Sequence, residues 1–236
     1  MPQTVIAFDL FGTILSTDSI AQKLGEIYGK DDATRIATEA RRLQLEYTWR
    51  CVSMGTYKPF DQLTRFSFRQ AVHQIIGKEL SSEHEEAIMD AYNHLSAYPE
   101  VDSALSSLSS HPEIDAYIFS NGTQQMLTSA LSSWSIFPPE KVISVDIDAL
   151  KTFKPAPKVY EYVATVTGMQ HTPERAWLVS SNPFDVLGAV SNGMRACWVD
   201  RTGQGWRDGL SHGLGKEPTL VVRGVDEAVT RIMQAQ

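Results

Sequence analysis

Two patterns of apolar and polar residues divide the chain into a helical stretch and a region where strands and helices alternate. Residues 4–9 (TVIAFD) form a short apolar run ending in a carboxylate and a Gly-Thr turn, which predicts a buried strand. Residues 18–96 contain no strong strand pattern, and their apolar positions recur at helical spacing. One face of the longest predicted helix carries Ile36, Ala40, Leu43, Tyr47 and Cys51. This stretch is therefore predicted to be an all-helical insertion.

After Pro99 short apolar runs alternate with amphipathic stretches. The predicted strands are IDAYIF, KVISV, RAWLVSS, MRACWVD and TLVVR, with helices between them and a closing helix VDEAVTRIMQ. Such alternation is typical of an α/β fold in which helices cover a parallel sheet. Residues 201–218 are interpreted as a mobile excursion loop, because their glycines fit neither the Walker spacing nor GxGxxG.

Composition narrows the class of protein. The chain has 236 residues, 42% of them hydrophobic and 21% charged, with a formal net charge of −7, which is typical of a globular protein and excludes disorder and coiled coil. Dispersed Lys and Arg residues argue against nucleic-acid binding, and neither a membrane span nor a signal-type start is present, so a cytoplasmic location is predicted. The two cysteines, Cys51 and Cys197, form no CxxC pair and are expected to be buried and reduced.

Polar residues follow the predicted core strands or stand in the adjacent loops. They belong to the segments DLFGT, SNGT, FKPAPKVY and SSNPFD and comprise Asp9, Ser120, Asn121, Lys154, Ser180, Asn182 and Asp185. Because ligands of open parallel sheets bind outside the carboxyl ends of the strands, these side chains are expected to share one crevice. Each motif alone is weak, since a strand-end Asp is often only a turn or cap residue.

Together and in this order, the four segments resemble the core motifs of the haloacid dehalogenase superfamily. Those motifs are a nucleophilic Asp after the first strand, a Ser or Thr after the second, a Lys and a terminal acidic motif. The resemblance covers the whole chain and implies a Rossmann-like parallel sheet core with an inserted all-helical cap domain. It assigns the core to residues 1–15 and 98–236 and the cap to residues 16–97.

Two positions distinguish the branches of this superfamily. Its phosphatases carry a second Asp two positions after the nucleophile and acidic ligands in the last motif, which hold Mg²⁺. Here those positions are Phe11, Ser180 and Ser181, so neither a metal nor another cofactor is predicted. The motifs, together with ARRLQLEYTW in the cap, look like the 2-haloacid dehalogenase branch, which acts on small 2-substituted carboxylic acids.

That resemblance implies a covalent displacement. Asp9 attacks the C2 carbon of an (S)-2-haloacid, forms an ester and expels halide with inversion, which leads to the (R)-2-hydroxyacid. Lys154 keeps Asp9 ionised. Arg41 receives the halide together with Asn121.

The same resemblance assigns residues to ester hydrolysis. Asp185, positioned by Ser180 and Asn182, is expected to direct water onto the Asp9 carbonyl carbon. Thr13 is expected to hydrogen-bond Asp9 or its turn, and Tyr160 to support the site.

The resemblance also implies which residues contact the substrate. Ser120 and the backbone around Asn121 are expected to bind its carboxylate, and Phe60 and Phe184 are expected to line an apolar pocket. The substrate-binding set is Leu10, Phe11, Ser120, Asn121, Phe60, Tyr160, Ser180, Asn182 and Phe184.

Three residues depart from the bacterial pattern of that branch: Phe11 stands where Tyr is common, Arg42 where Gln is common and Phe184 where Trp is common. Phe11 lacks a hydroxyl, and Arg42 is expected to add a charge at the cap mouth. The alternatives left open are a hydrolase of azetidine-2-carboxylate, a Mg²⁺-dependent phosphatase and a non-catalytic relative that binds a small acid or a partner protein. A homodimer is expected.

Overall fold

The computed structural model describes residues 4–132 and 137–235, and within them the chain forms a mixed α/β structure. The strands are β1 (Thr4–Phe8), β2 (Ile114–Ser120), β3 (Val142–Ser144), β4 (Ala176–Ser180), β5 (Arg195–Val199) and β6 (Leu220–Val222). The helices are α1 (Asp18–Tyr28), α2 (Lys30–Ser53), α3 (Phe60–Ile76), α4 (Ser82–Asn93), α5 (Val101–Leu108), α6 (Gln124–Ala130), α7 (Pro157–Val166), α8 (Pro183–Ser191), α9 (Gly209–Leu214) and α10 (Val225–Gln234).

The six strands form one parallel sheet in the order β3-β2-β1-β4-β5-β6. The sheet and its helices confirm the predicted α/β class. Strand order changes direction between β1 and β4, where Phe8 pairs with Val179. Ligands of such sheets bind at this switch point, outside the carboxyl ends of the strands. The residues that follow Phe8 and Val179 therefore occupy the place where a site is expected.

The helices α1 to α4 lie between β1 and β2 in the sequence and pack mainly on one another, α2 against α1 and α3, and α4 against α1 and α3. The chain leaves and re-enters the sheet region at neighbouring points, because Leu15 bridges to Ala97 and the Ser16 amide donates to the Ser96 carbonyl at 2.8 Å. The helical insertion is thus connected to the sheet through two adjacent segments.

The apolar face predicted for α2 is largely correct. Ile36, Ala40, Leu43 and Cys51 are buried, whereas Tyr47 is only partly buried and its hydroxyl donates to Gln70 near the surface. An aromatic ring with a polar tip can occupy such a boundary position, which explains the difference.

The predicted excursion loop at residues 201–218 contains regular structure, so this interpretation is wrong for Gly209–Leu214, which form α9. Asp208 caps the helix by accepting from the Ser211 amide at 2.8 Å, and the Trp206 ring packs on Trp198 at 5.0 Å. The short helix depends on this cap and on aromatic packing, neither of which its glycine-rich sequence reveals.

Both cysteines are buried free thiols, as expected, and burial raises the pKa of Cys197 to about 12. None of the helices in the described ranges has the length and apolar sequence needed to cross a bilayer.

Candidate active site

A tight turn directly after β1 presents Asp9 and Thr13 at the sheet edge. The Leu10 carbonyl accepts from the amides of Ile14 and Leu15 at 3.0 and 2.9 Å, which folds the chain back on itself. Gly12 has a φ of +86°, a backbone conformation that favours glycine and that the DLFGT sequence supplies at this position. The turn therefore brings the Thr13 hydroxyl back to the carboxylate four residues before it.

The Asp9 carboxylate is almost fully buried, and its two oxygens have different surroundings. Oδ2 accepts from Thr13 Oγ1 and Asn182 Nδ2, both at 2.8 Å, and from Ser180 Oγ at 3.4 Å. Oδ1 accepts from Lys154 Nζ at 3.1 Å. Oδ2 is thus held by three neutral donors. Oδ1 accepts from one cation and has fewer contacts than Oδ2.

Lys154 lies at the centre of the charged cluster, with only 1% of its surface exposed. Its Nζ donates to Asp9, to Asp185 Oδ2 at 2.8 Å and to the Phe119 carbonyl at 2.7 Å. It also lies 4.0 Å from the centre of the Phe119 ring. Three acceptors use all three of its protons, so this ammonium is oriented as a fixed positive charge between two carboxylates.

Asp185 is fully buried at the start of α8. Burial raises the pKa of its carboxyl, with the Asp9 charge acting in the same direction and Lys154 opposing both. Its Oδ1 accepts from the Tyr160 hydroxyl at 2.8 Å. Burial and the Asp185 charge hold the pKa of Tyr160 well above its usual value, so this phenol stays protonated and serves as a donor.

Ser180 and Asn182 differ from their expected role of positioning Asp185. Both side chains contact Asp9, and Asn182 reaches Asp185 only through its backbone carbonyl, which accepts from the Asp185 amide at 3.1 Å. Lys154 and Tyr160 hold the Asp185 carboxylate instead. A sequence motif gives the order of these residues but not which carboxylate each side chain faces.

Ser120 is the last residue of β2, and Asn121 follows it beside the charged cluster. The Ser120 hydroxyl is fully buried and accepts from the Gly122 amide at 3.1 Å. Asn121 Oδ1 accepts from the Lys154 amide at 2.9 Å, which fixes the orientation of the amide group and leaves its NH₂ as a donor. The Leu10 side chain is fully buried in the core, and its carbonyl closes the turn after β1.

Arg41 on α2 connects the helical insertion to the sheet edge. Its Nη2 donates to Asn182 Oδ1 at 3.0 Å, and Asn182 uses its other amide atom to contact Asp9. Arg41 forms no ion pair with any carboxylate in the part of the chain that the structure describes. Arg42 next to it is exposed and paired with Glu39 and Glu46, so the expected extra charge at the cap mouth is balanced locally.

Aromatic rings line the same region. Phe11 stacks on Phe60 at 6.1 Å and lies 5.2 Å from Tyr92, while Phe60 lies 6.3 Å from Phe153. The half-buried Phe184 ring is packed edge-on against Trp49 of α2 at 5.5 Å. Phe11 and Phe60 thus belong to one aromatic group, and Phe184 belongs to a separate contact between α8 and α2.

The comparison with protein-family models decides the family. Residues 3–193 match the model for haloacid dehalogenase-like hydrolases, which is most of the chain. The chain belongs to this family of hydrolases.

Individual relatives of this haloacid dehalogenase-like hydrolase cover nearly its whole length. It is 32% identical over 227 residues to the (S)-2-haloacid dehalogenase of Pseudomonas putida, covering 94% of this chain and 93% of that protein. It superimposes on the L-2-haloacid dehalogenase of Xanthobacter autotrophicus with a TM-score of 0.83 and 29% identity over all of both chains. The structure of the Xanthobacter enzyme with chloropropionic acid covalently bound gives a TM-score of 0.82 and 28% identity, again over all of both chains.

The donor set of this haloacid dehalogenase-like hydrolase does not fit Mg²⁺. Its two carboxylates, Asp9 and Asp185, both accept from the Lys154 ammonium, which already offsets part of their negative charge. Phe11 and the hydroxyls of Ser180 and Ser181 supply no further carboxylate, and no cluster of three or more His, Cys, Asp or Glu ligands exists within residues 4–132 and 137–235. A hard divalent ion requires more oxygen ligands than this.

Sequence reasoning missed three residues of this hydrolase that shape the site. Gly188 of α8 lies so close to Tyr160 that a Cβ there would come within 2.3 Å of the phenol oxygen, and a Cβ at Gly122 would come within 2.8 Å of the Phe11 ring. A glycine inside a predicted helix, as in PFDVLGAVS, is a signal that could have indicated such close packing. Gln44, also missed, is considered further below.

Proposed function

We propose that this protein is a metal-independent (S)-2-haloacid dehalogenase that works through an ester on Asp9. One observation carries the proposal: Asn182 links the buried Asp9 carboxylate to Arg41, a cation without a carboxylate partner in the described residues. A carboxylate nucleophile and a cation free to accept an anion are what displacement of a halide requires. The names of the relatives support the same substrate class.

In the first step Asp9 Oδ1 attacks C2 of the substrate from the side opposite the halogen. The new C–O bond forms as the carbon–halogen bond breaks, and the halide leaves with both bonding electrons and inversion at C2. Lys154 Nζ, 3.1 Å from Asp9 Oδ1, offsets by its charge the repulsion between the Asp9 carboxylate and the anionic substrate. Arg41 and the free NH₂ of Asn121 stabilise the departing halide.

In the second step water attacks the carbonyl carbon of the Asp9 ester. Asp185 takes the proton, and the oxyanion that forms on Oδ2 is met by Thr13, Ser180 and Asn182, the donors that already surround this atom. Collapse breaks the bond between Cγ and Oδ1, Asp185 returns its proton to the departing alkoxide, and the (R)-2-hydroxyacid leaves with an original Asp9 oxygen. Asp9 keeps the oxygen of the water.

The substrate carboxylate is held by the Ser120 hydroxyl and the backbone of Leu10 and Asn121, and its alkyl group lies beside Phe11 and Phe60, while Phe184 packs apart from them against Trp49. Residues 16–97 form a cap domain over a core of residues 1–15 and 98–236. The joined segments at Leu15 and Ala97 support this division. A homodimer and a cytoplasmic location remain predictions, and the molar mass in solution tests the first.

Halide release from (S)-2-chloropropionate tests the proposed function. The protein is expected to release chloride at mildly alkaline pH at an unchanged rate in excess chelator, because no step needs a divalent cation. The (R)-enantiomer is expected to react at least about a hundredfold more slowly, since the wrong configuration misaligns the halogen with Arg41. Turnover of azetidine-2-carboxylate without turnover of the haloacid would show that the proposed substrate is wrong. Hydrolysis of a phosphate monoester that is lost in excess chelator would contradict the whole proposal.

Removing the Tyr160 hydroxyl tests the assignment of Asp185. Its hydrogen bond lowers the pKa of Asp185, so Tyr160→Phe raises that pKa further and moves the acidic limb of the kcat profile to higher pH. At neutral pH kcat is expected to fall about tenfold, which corresponds to a rise of about 1.4 kcal/mol in the activation free energy. The pH profile of kcat is the measurement, and Tyr162→Phe on the same helix is the matched control. A uniform fall without a shifted limb would speak against Asp185 as the base.

A further inference from the structure

Gln44 on α2 is a buried polar residue that the proposed reaction does not use directly. Only 2% of its surface is exposed, and it lies one helical turn after Arg41. Its Oε1 accepts from Arg41 Nη1 at 2.6 Å. Its Nε2 donates to Thr64 Oγ1 at 2.6 Å and to the Tyr92 hydroxyl at 3.2 Å. The amide thus joins three helices of the insertion to one guanidinium.

The partner of Thr64 determines which way the Gln44 amide faces. The Thr64 hydroxyl donates its single proton to the Phe60 carbonyl at 2.8 Å, so it can only accept from Gln44. The NH₂ group of Gln44 must therefore face Thr64, and its carbonyl oxygen must face Arg41. In the opposite orientation two acceptors would meet at Thr64, which is fully inaccessible, and two donors would meet at Arg41.

Both side-chain acceptors of Arg41 are neutral. They are the amide oxygens of Gln44 and Asn182, at 2.6 and 3.0 Å. A carboxylate at either position would orient the guanidinium equally well but would cancel its charge. A cavity of about 50 Å³ lies beside this group and is lined by Arg41, Gln44, Tyr92, Thr17 and Ser67 among others.

We infer that Gln44 is a positioning residue that holds the Arg41 guanidinium beside Asn182 while leaving its positive charge available to the departing halide. This inference rests on the proposed dehalogenase function. Gln44 acts through Arg41 and not on substrate. A neutral amide is the residue type that satisfies both requirements, since it accepts the hydrogen bond and brings no charge.

Two substitutions of Gln44 distinguish its effect on the orientation of the Arg41 guanidinium from its effect on the Arg41 charge. Gln44→Glu keeps the shape and the acceptor but forms an ion pair with Arg41, and kcat/KM for 2-chloropropionate is expected to fall at least about a hundredfold. Gln44→Met removes the acceptor without adding charge, and a fall of about tenfold is expected. Thr64→Val frees the amide to rotate and is expected to give a smaller loss of the same kind.

Leaving-group dependence distinguishes positioning of Arg41 from a general structural role. A poorer leaving group needs more stabilisation, so the loss in both Gln44 variants is expected to be several-fold larger for 2-chloropropionate than for 2-iodopropionate. Thr48→Val is the matched control, because Thr48 is fully buried on the same helix and donates only to the Leu45 carbonyl. Its chloro-to-iodo ratio is expected to equal that of the unaltered protein. Equal losses for both halides in the Gln44 variants would overturn the inference.

Iodide binding provides a readout that does not depend on turnover. At constant ionic strength, iodide is expected to raise the thermal unfolding midpoint of the unaltered protein and of Thr48→Val, and to have no such effect on Gln44→Glu. If iodide stabilises all three proteins equally, Gln44 does not control the charge of Arg41 and the inference is wrong. Failure of the unaltered protein to release halide would refute the proposed function and the role of Gln44 in halide departure, while iodide binding that still depends on Gln44 would show that Gln44 controls the charge of Arg41.

Discussion

Asp9→Asn is expected to lower halide release from (S)-2-chloropropionate by at least about a thousandfold, because an amide oxygen is a far weaker nucleophile than a carboxylate. The substitution also disturbs the cluster. If the new amide keeps its oxygen toward Thr13 and Asn182, its NH₂ group faces the Lys154 ammonium, and two donors then meet. Initial rates of chloride release measure the effect.

Turnover in water labelled with heavy oxygen tests the same residue without substitution. Over many turnovers the Asp9 peptide is expected to gain label, because each ester hydrolysis leaves one water oxygen on that carboxylate. The peptide that carries Asp185 is expected to stay unlabelled. Label in the product alone would indicate direct attack of water on C2 and would contradict the ester.

Asp200→Asn is the matched control for Asp9→Asn. Asp200 is also a buried carboxylate that follows a strand of the sheet, but it accepts from the amides of Gly203 and Gly205 and from Thr202 within its own loop. Its substitution is expected to affect stability more than turnover. Equal losses of halide release in both variants would mean that strand-end carboxylates act structurally here.

Lys154→Met is expected to abolish measurable halide release and to lower the free energy of unfolding at neutral pH by about 3–5 kcal/mol. The reason is that removal of one member of a buried ion cluster leaves uncompensated charge, here on Asp9 and Asp185. Chemical denaturation and chloride release measure the two effects. Lys158→Met, an exposed lysine on α7, is the control and is expected to change neither.

The pH dependence of this loss has a defined sign. Burial already raises the pKa of Asp185 above its usual value, and Lys154 opposes that rise. Without Lys154 the pKa rises further, so the folded variant binds more protons than the unfolded chain and its stability falls as pH increases. The deficit against the unaltered protein is therefore expected to be smaller at mildly acidic pH than at neutral pH. A deficit independent of pH would show that packing of the lysine stem, not its charge, is what the substitution removes.

The sequence predicted those features of the fold that depend on periodicity. The strand TVIAFD and the helical face of α2 follow from local patterns of apolar residues, and both are present. The short helix α9 was missed because a side-chain cap at Asp208 and a ring contact between Trp206 and Trp198 stabilise it. These interactions depend on three-dimensional packing, which a hydrophobic pattern does not contain.

For the candidate site, the sequence predicted which residues come together but not how they pair. Asp9, Lys154 and Asp185 were expected at one sheet edge from strand order alone, and the structure joins them through hydrogen bonds. The assignment of Asn182 to Asp9, and of Gln44 to Arg41, depends on side-chain orientations that no spacing rule encodes. Gln44 reads in the sequence as an ordinary helix residue, and only its burial distinguishes it.

The position of β1 in the sheet has a consequence for how the chain matures during synthesis. Phe8 pairs with Ile118 on one side and with Val179 on the other, so the strand that precedes Asp9 is made first and gains its last partner long afterwards. At about 5–20 residues per second, this interval lasts roughly ten seconds or more. The helices α1 to α4 pack largely on one another and can assemble within that time. A nascent chain that stalls before β4 therefore carries a folded insertion next to an apolar strand that is paired with β2 on one side only, and its open side is a target for chaperones and for aggregation.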